Sequence, residues 1–111
     1  VELWGTGSPM REFLHVDDLG QAVLYAVENR LEEHLYNVGT GIDVTIEDLA
    51  HLIQSIVGHQ GKIKWDTDKP DGTPRKLMDI GKITNNGWFP KIKLEDGISD
   101  VYHWYQKRSK N

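Results

Sequence analysis

The sequence predicts a small mixed α/β domain, an α+β unit in which three main helices pack with a few short strands. Three apolar stripes with helical spacing indicate the helices, and the runs between them are short and extended. At 111 residues the chain forms one domain at most. The strands are too few and too short for a self-sufficient doubly wound sheet. We therefore expect the domain to pack against a larger partner.

In the first part of the chain, the predicted order is strand, loop, extended run and helix. Residues 2–4 form a short strand, and the glycines and proline of residues 5–10 break any regular element. Residues 12–15 are extended, and a helix follows from Val16 or Asp17 to Asn29. Its apolar stripe has the i, i+3, i+4 spacing and consists of Leu19, Ala22, Val23, Ala26 and Val27.

Two acidic residues and a histidine surround the start of this helix. Asp17 and Asp18 lie in its first turn, where acidic groups suit the helix dipole, and we interpret them as capping residues. His15 could serve as an acid or base. We interpret it instead as a histidine in a buried turn at the helix start.

The middle of the chain is predicted as a strand over residues 34–38, a turn over 39–41 and a second helix. Thr45 is the expected N-cap of that helix and Gly58 its C-cap. Its stripe consists of Ile46, Leu49, Ala50, Ile53, Ile56 and Val57. The 39–41 turn could cradle a phosphate. We interpret it as structural, because its two glycines permit a sharp turn.

In the last part of the chain, a strand over residues 62–65 precedes a long irregular loop over 66–74. Loops of that length are often functional. Asp79 is predicted to cap a short helix over residues 80–85, and the last helix runs from about Leu94 towards Arg108. This order completes the α+β pattern.

Composition and charge exclude several classes of protein. Hydrophobic residues make up 38% of the chain and charged residues 27%, which is typical of a globular domain. The formal net charge of −4 gives no general attraction to nucleic acid or to an anionic membrane. The sequence has no cysteine, which excludes disulfides and fits a cytoplasmic location. No apolar run approaches the ~20 residues that span a bilayer, and the scattered histidines predict no zinc site.

Residues 4–11 bring an aromatic ring and a cation close together. Trp4 can stack on a flat group, and the guanidinium of Arg11 can bind two phosphate oxygens. Together they suit a flat, anionic ligand. Each has a structural alternative: Trp4 as a core aromatic at the end of a strand, and Arg11 as the ion-pair partner of Asp17 or Asp18.

Four runs carry a resemblance to a known family. Residues 4–18, with the pattern W-G-x-G-x-P-x-R-E-F-x-H-V-D-D, resemble the nucleotide-sugar branch of the extended short-chain dehydrogenase/reductase superfamily. Residues 36–41 (Y-N-V-G-T-G) and 87–88 (G-W) agree with it in order and spacing. The run K-P-D-G-T-P-R-K over residues 69–76 is the more specific signal, and it resembles the GDP-4-keto-6-deoxymannose epimerase/reductases.

The resemblance implies that residues 1–111 are the carboxyl-terminal, substrate-binding portion of a parent enzyme. That parent would convert GDP-4-keto-6-deoxy-D-mannose to GDP-L-fucose by epimerisation and NADPH-dependent reduction. Val1 opens the chain without an initiator methionine, and no Y-x-x-x-K pair or glycine-rich dinucleotide motif occurs. We therefore expect an NADP(H)-binding Rossmann domain upstream. We also expect a cytoplasmic, homodimeric parent, and no catalytic residue, cofactor site or activity in this chain alone.

The resemblance also implies a set of substrate-binding residues, namely Trp4, Arg11, Asp71 and Lys76. Arg11 would bind the nucleotide diphosphate. Asp71 would accept hydrogen bonds from the ribose hydroxyls or the guanine edge, and Lys76 would add positive charge near the phosphates. Arg75 should face away from Lys76 in an extended backbone. The alternative is that the 66–76 segment is a solvated charged loop.

Two other functions remain open at this point. The parent could be another nucleotide-sugar epimerase, dehydratase or reductase of the superfamily, although Trp4 and the 69–76 run favour a GDP-sugar over a UDP-sugar. The chain could also be a non-catalytic sugar-nucleotide-binding module. Its start in the middle of a fold and its small sheet speak against that function.

Overall fold

Four helices and five short strands lie along residues 1–110, the part of the chain that the computed structural model describes. The helices are α1 (Val16–Glu28), α2 (Ile46–Val57), α3 (Gly81–Asn85) and α4 (Leu94–Ser109). The strands are β1 (Glu2–Trp4), β2 (Met10–Arg11), β3 (Val44–Thr45), β4 (Lys64–Asp66) and β5 (Arg75–Lys76). The predicted fold class of helices with a few short strands is confirmed.

The strands form two small sheets whose connections run side by side. Strand β1 pairs in parallel with β4. Strand β2 is central in the second sheet, antiparallel to β3 and parallel to β5. The loop over residues 5–9 joins β1 to β2, and the loop over residues 67–74 joins β4 to β5. Because β1 is parallel to β4 and β2 is parallel to β5, these two loops pass next to each other from the first sheet to the second.

Helix α2 follows its sequence signals closely. Thr45 is its N-cap, and the Thr45 hydroxyl oxygen accepts a hydrogen bond from the Asp48 backbone N–H at 3.0 Å. Gly58 ends the helix with φ of 74°, a left-handed conformation that glycine adopts without strain. Both predicted caps are confirmed, because the residues that determine them are near neighbours in sequence.

The capping interpretation of Asp17 and Asp18 is wrong. The N-cap of α1 is His15, whose Nδ1 accepts a hydrogen bond from the Asp17 backbone N–H at 3.0 Å. Asp18 is only 3% exposed, and its carboxylate accepts hydrogen bonds from the backbone N–H groups of Lys91 and Ile92. The buried Asp18 therefore fastens the segment before α4 to the start of α1.

The predicted strand over residues 34–38 is also wrong, because the backbone there is irregular in the structure. A strand requires a neighbour for its backbone hydrogen bonds, and none of the described strands lies beside this segment. Its side chains nevertheless keep an inward direction, since Tyr36 and Val38 pack against the core. The extended run predicted over residues 12–15 also pairs with none of the described strands. The strand lies just before it in the chain, at β2.

A small core lies between α1, α3 and the segment that follows α3. Its buried members are Ala22, Ile83 and Trp88. Most of the α1 stripe stays outside this core, and Val27 is 72% exposed. The accessible surface of the chain is 8306 Å², whereas a compact monomer of this mass exposes about 6200 Å². Much of the apolar stripe predicted for α1 therefore lies on the surface of this chain. No helix among the described residues has the length and hydropathy of a membrane span.

Candidate functional site

Three of the four predicted site residues, Trp4, Arg11 and Asp71, surround one small cavity, which we call the Trp4 cavity. It lies where the 5–9 loop and the 67–74 loop meet, and has a volume of about 120 Å³. It is lined by Trp4, Gly7, Pro9, Arg11, Ile46, Pro70, Asp71 and Gly72. The two side-by-side connections thus bring together residues that are some sixty positions apart in sequence.

Trp4 ends β1 and is 70% exposed, so the alternative of a core aromatic is wrong. The Lys69 ammonium lies 5.3 Å from the centroid of its ring. A cation at that distance over an aromatic face is attracted by the ring quadrupole. The ring therefore offers an exposed apolar face beside a positive charge.

Arg11 ends β2 and is half-buried. Its Nη1 donates a hydrogen bond to the Met10 carbonyl oxygen at 2.7 Å. Within residues 1–110 neither Asp17 nor Asp18 forms an ion pair with Arg11, and the Asp18 carboxylate binds backbone N–H groups instead. The alternative of an Arg11 ion pair is therefore wrong. A guanidinium has five N–H donors, so most of them are available to an anion.

Asp71 lies in the 67–74 loop and binds Thr6 with both carboxylate oxygens. The Thr6 backbone N–H donates to Oδ1 at 2.8 Å, and the Thr6 hydroxyl donates to Oδ2 at 2.7 Å. These two hydrogen bonds lower the pKa of the Asp71 carboxyl from its usual value. Each carboxylate oxygen can accept a further hydrogen bond, so Asp71 could still bind a ligand hydroxyl.

Lys76 lies next to Arg11 in the second sheet but does not line the cavity. The two residues are opposite each other in the parallel β2–β5 pair, and Lys76 is exposed. Its neighbour Arg75 binds Asp43 instead, with Nε 2.7 Å from Oδ2, and that hydrogen bond and charge raise the pKa of Arg75. Of the two adjacent cations, only Lys76 therefore remains a candidate for phosphate binding.

Arg11 also lines a second cavity of about 300 Å³. Its other lining residues are Phe13, Thr40, Ile42, Val44, Pro90, Lys91, Ile92, Lys93 and Leu94. Small-molecule sites usually have volumes of about 300–1,000 Å³. The smaller cavity could therefore hold only part of a ligand of that size, and Arg11 lines both cavities.

Three residues that help to build this site are not among the candidates predicted from the sequence. Thr6 binds Asp71, Lys69 faces Trp4, and Gly72 lies so close to Arg11 that a Cβ there would be 3.0 Å from Nη2. Gly5 has φ of 85°, and a Cβ on it would collide with the Asp71 carboxylate. The glycines were the available signal, because a glycine often marks a close approach of two chain segments.

Two other groups that resemble functional sites are structural. The Gly41 backbone N–H donates to the Glu12 carboxylate at 3.0 Å, and the Met78 N–H donates to the same carboxylate at 2.9 Å. The 39–41 turn is therefore held by an internal anion, which agrees with its interpretation as a structural turn. The His15 side chain is 7% exposed, with Nε2 3.2 Å from Asp100 Oδ2, which confirms the buried-turn interpretation.

Comparison with known proteins agrees with this arrangement. The sequence model of the NAD dependent epimerase/dehydratase family matches residues 1–39. The chain is 52% identical over 107 residues to GDP-L-fucose synthase 1 of Arabidopsis thaliana, covering 96% of this chain and 33% of the relative. It is 45% identical over 114 residues to the GDP-L-fucose synthase of Escherichia coli K12, covering 95% of this chain and 36% of the relative. This chain is related to the GDP-L-fucose synthases.

The match to the GDP-L-fucose synthases lies in their carboxyl-terminal portion. The chain spans about a third of the length of these curated relatives. Its fold is likewise similar to part of a GDP-D-glycero-L-gluco-heptose synthase from Campylobacter jejuni, whose crystal structure was determined in the presence of NADPH. That similarity has a TM-score of 0.86 and 39% identity, over 96% of this chain and 33% of the other. The resemblance inferred from the sequence motifs is thus confirmed.

Proposed function

We propose that this chain is the GDP-sugar-binding portion of an enzyme that converts GDP-4-keto-6-deoxy-D-mannose to GDP-L-fucose. The observation that carries the proposal is the meeting of Trp4, Arg11 and Asp71 around one cavity. The sequence identity to GDP-L-fucose synthases supports the same substrate class. The site thus combines a stacking surface, a fixed cation and a hydrogen-bond acceptor.

Each residue has a role in this proposal. Trp4 stacks on a flat part of the nucleotide, and Arg11 binds the diphosphate with its planar fork. Asp71 accepts hydrogen bonds from ribose hydroxyls or the guanine edge, and Lys76 adds positive charge near the phosphates. Anchoring GDP at a distance from the reacting sugar supplies binding energy that orients the sugar.

The proposal assigns the epimerisation and the NADPH-dependent reduction to another part of the parent enzyme. This sequence has no Y-x-x-x-K pair and no glycine-rich dinucleotide motif. The chain alone therefore has no predicted activity and binds no NADP(H). The parent is proposed to be a cytoplasmic homodimer that acts on a small molecule rather than on nucleic acid or a membrane.

The test is a calorimetric titration of the protein, as its gene encodes it, with GDP and with UDP. We expect saturable binding of GDP and an affinity for UDP at least about tenfold lower, because contacts to a base edge discriminate by 1.4 kcal/mol or more. Equal affinities would instead favour another nucleotide-sugar enzyme of the superfamily. Absence of GDP binding would contradict the proposal.

Trp4→Ala is expected to weaken GDP binding by about tenfold or more, because stacking of a base on an aromatic ring contributes about 1–3 kcal/mol. Trp4→Phe should keep much of the affinity, since a smaller ring still stacks. Trp104→Ala is the matched control, because Trp104 is also more than half exposed but lies on α4 and lines no part of the Trp4 cavity. An unchanged affinity in Trp4→Ala would remove Trp4 from the site.

A further inference from the structure

The 67–74 loop closes one side of the Trp4 cavity. Pro70, Asp71 and Gly72 all line it, and Gly72 approaches the Arg11 guanidinium. No residue of this loop belongs to a helix or strand. Its position over Arg11 therefore depends on individual contacts rather than on a regular element.

Backbone hydrogen bonds hold the two ends of this loop. At its start the Lys69 N–H donates to the Asp66 carbonyl oxygen at 3.2 Å, and at its end the Met10 N–H donates to the Pro74 carbonyl oxygen at 2.9 Å. Among the described residues, the middle of the loop is tied to the other loop by the two hydrogen bonds from Thr6 to Asp71. The contact between Thr6 and Asp71 is thus the central attachment of the loop.

Thr6 is itself held in position for this contact. Its hydroxyl group lies 2.8 Å from the Ser8 hydroxyl, and it accepts a hydrogen bond from the Ser8 backbone N–H at 3.2 Å. Gly5, with φ of 85°, leaves room for the Asp71 carboxylate next to the chain. The lowered pKa of Asp71 agrees with an anion that these donors stabilise. Thr6 does not line the cavity.

We infer that Thr6 is a positioning residue for nucleotide binding. Its hydroxyl and N–H hold Asp71, so the 67–74 loop stays over Arg11. The cavity lined by Trp4, Arg11 and Asp71 is therefore formed before the ligand arrives. This inference rests on the proposed function for its ligand, a guanosine diphosphate. The preformed loop saves the entropy that ordering it during binding would cost.

The first experiment measures the loop without any ligand. Amide hydrogen exchange is compared between the wild-type protein, as its gene encodes it, and Thr6→Val, which keeps the N–H but loses the hydroxyl donor. We expect the backbone amides of Asp68 and Lys69, which donate to Asp66, and the amide of Thr6, which donates to Asp71, to exchange at least about tenfold faster in Thr6→Val, with α2 unchanged. Thr6→Ser should restore slow exchange, because it keeps the hydroxyl. Unchanged loop exchange in Thr6→Val would overturn the inference.

The second experiment measures GDP affinity in the same variants. We expect Thr6→Val to bind GDP about tenfold more weakly, and Thr6→Ser to bind like the wild type. Thr73→Val is the matched control, since it removes an exposed hydroxyl from the same loop without touching Asp71. In the exchange experiment, Asp71→Asn should likewise speed amide exchange in the loop. Asp68→Asn, which removes the same charge nearby, should not.

The two experiments separate failure of this inference from failure of the proposed function. If wild-type protein binds no GDP, the proposed function fails, while the exchange data still test whether Thr6 positions the loop. If wild-type protein binds GDP and Thr6→Val binds equally well, the positioning role fails. If Thr6→Val also raises exchange in α2 and Thr6→Ser does the same, the contact is general to the fold and the inference is overturned.

Discussion

Replacing Arg11 with alanine is expected to weaken GDP binding by about ten- to a hundredfold. Hydrogen bonds to charged groups contribute about 1.5–3 kcal/mol. Arg11 forms no ion pair within residues 1–110, so its charge is not neutralised by a carboxylate before the ligand binds. Calorimetric titration with GDP measures the effect. Arg11→Lys should recover only part of the affinity, because lysine keeps the charge but loses the planar fork.

Arg75→Ala is the matched control for Arg11. Both arginines lie in the same small sheet, but Arg75 binds the Asp43 carboxylate and does not line the cavity. The control variant should bind GDP with nearly wild-type affinity. If the two variants lose affinity to the same extent, the effect is one of net charge and Arg11 does not contact the phosphates.

Replacing Asp18 with alanine is expected to lower the free energy of unfolding by about 2–4 kcal/mol. The substitution removes a buried acceptor and leaves the N–H groups of Lys91 and Ile92 without their partner. Because these donors are only partly buried, each lost partner costs an amount at the lower end of about 1–3 kcal/mol. Urea denaturation followed by circular dichroism measures the change. The effect reflects the loss of a contact between segments more than seventy residues apart.

The adjacent Asp17 provides a matched control. Its side chain is 74% exposed, and its hydrogen bond to His15 Nδ1 is donated by the Asp17 backbone N–H, which the substitution keeps. Asp17→Ala should therefore cost less than about 1 kcal/mol, mainly through the helix dipole. Equal destabilisation by both substitutions would show that Asp18 acts as a first-turn charge and not as a buried fastening.

The sequence predicted the helices well because their determinants are local. The periodicity of α2 and its two caps depend on residues within a few positions of each other, and the structure keeps both caps. It also predicted which residues could bind a nucleotide. The resemblance of residues 4–18 and 69–76 to one enzyme family, together with the chemistry of a tryptophan and an arginine close in sequence, indicated Trp4, Arg11, Asp71 and Lys76 as candidates.

The strands were less predictable because each needs a partner that the local pattern does not specify. Residues 34–38 alternate like a strand, but none of the described strands pairs with them. Residues 10–11 form a strand because β3 and β5 lie on either side of them. Similarly, the acidic pair at the start of α1 resembles a cap. The folded chain instead uses His15 for the cap and buries Asp18 under a distant segment.

The sequence by itself thus determined the helices, the absence of thiol chemistry and the group of candidate residues. The tertiary structure alone decided that Trp4, Arg11 and Asp71 share a cavity while Arg75 is held by Asp43. It also decided that Thr6 holds Asp71 across a separation of 65 residues. The physical reason is that hydrogen bonds within a helix join near neighbours, whereas two parallel strand pairs bring distant loops together in a way that no local pattern records.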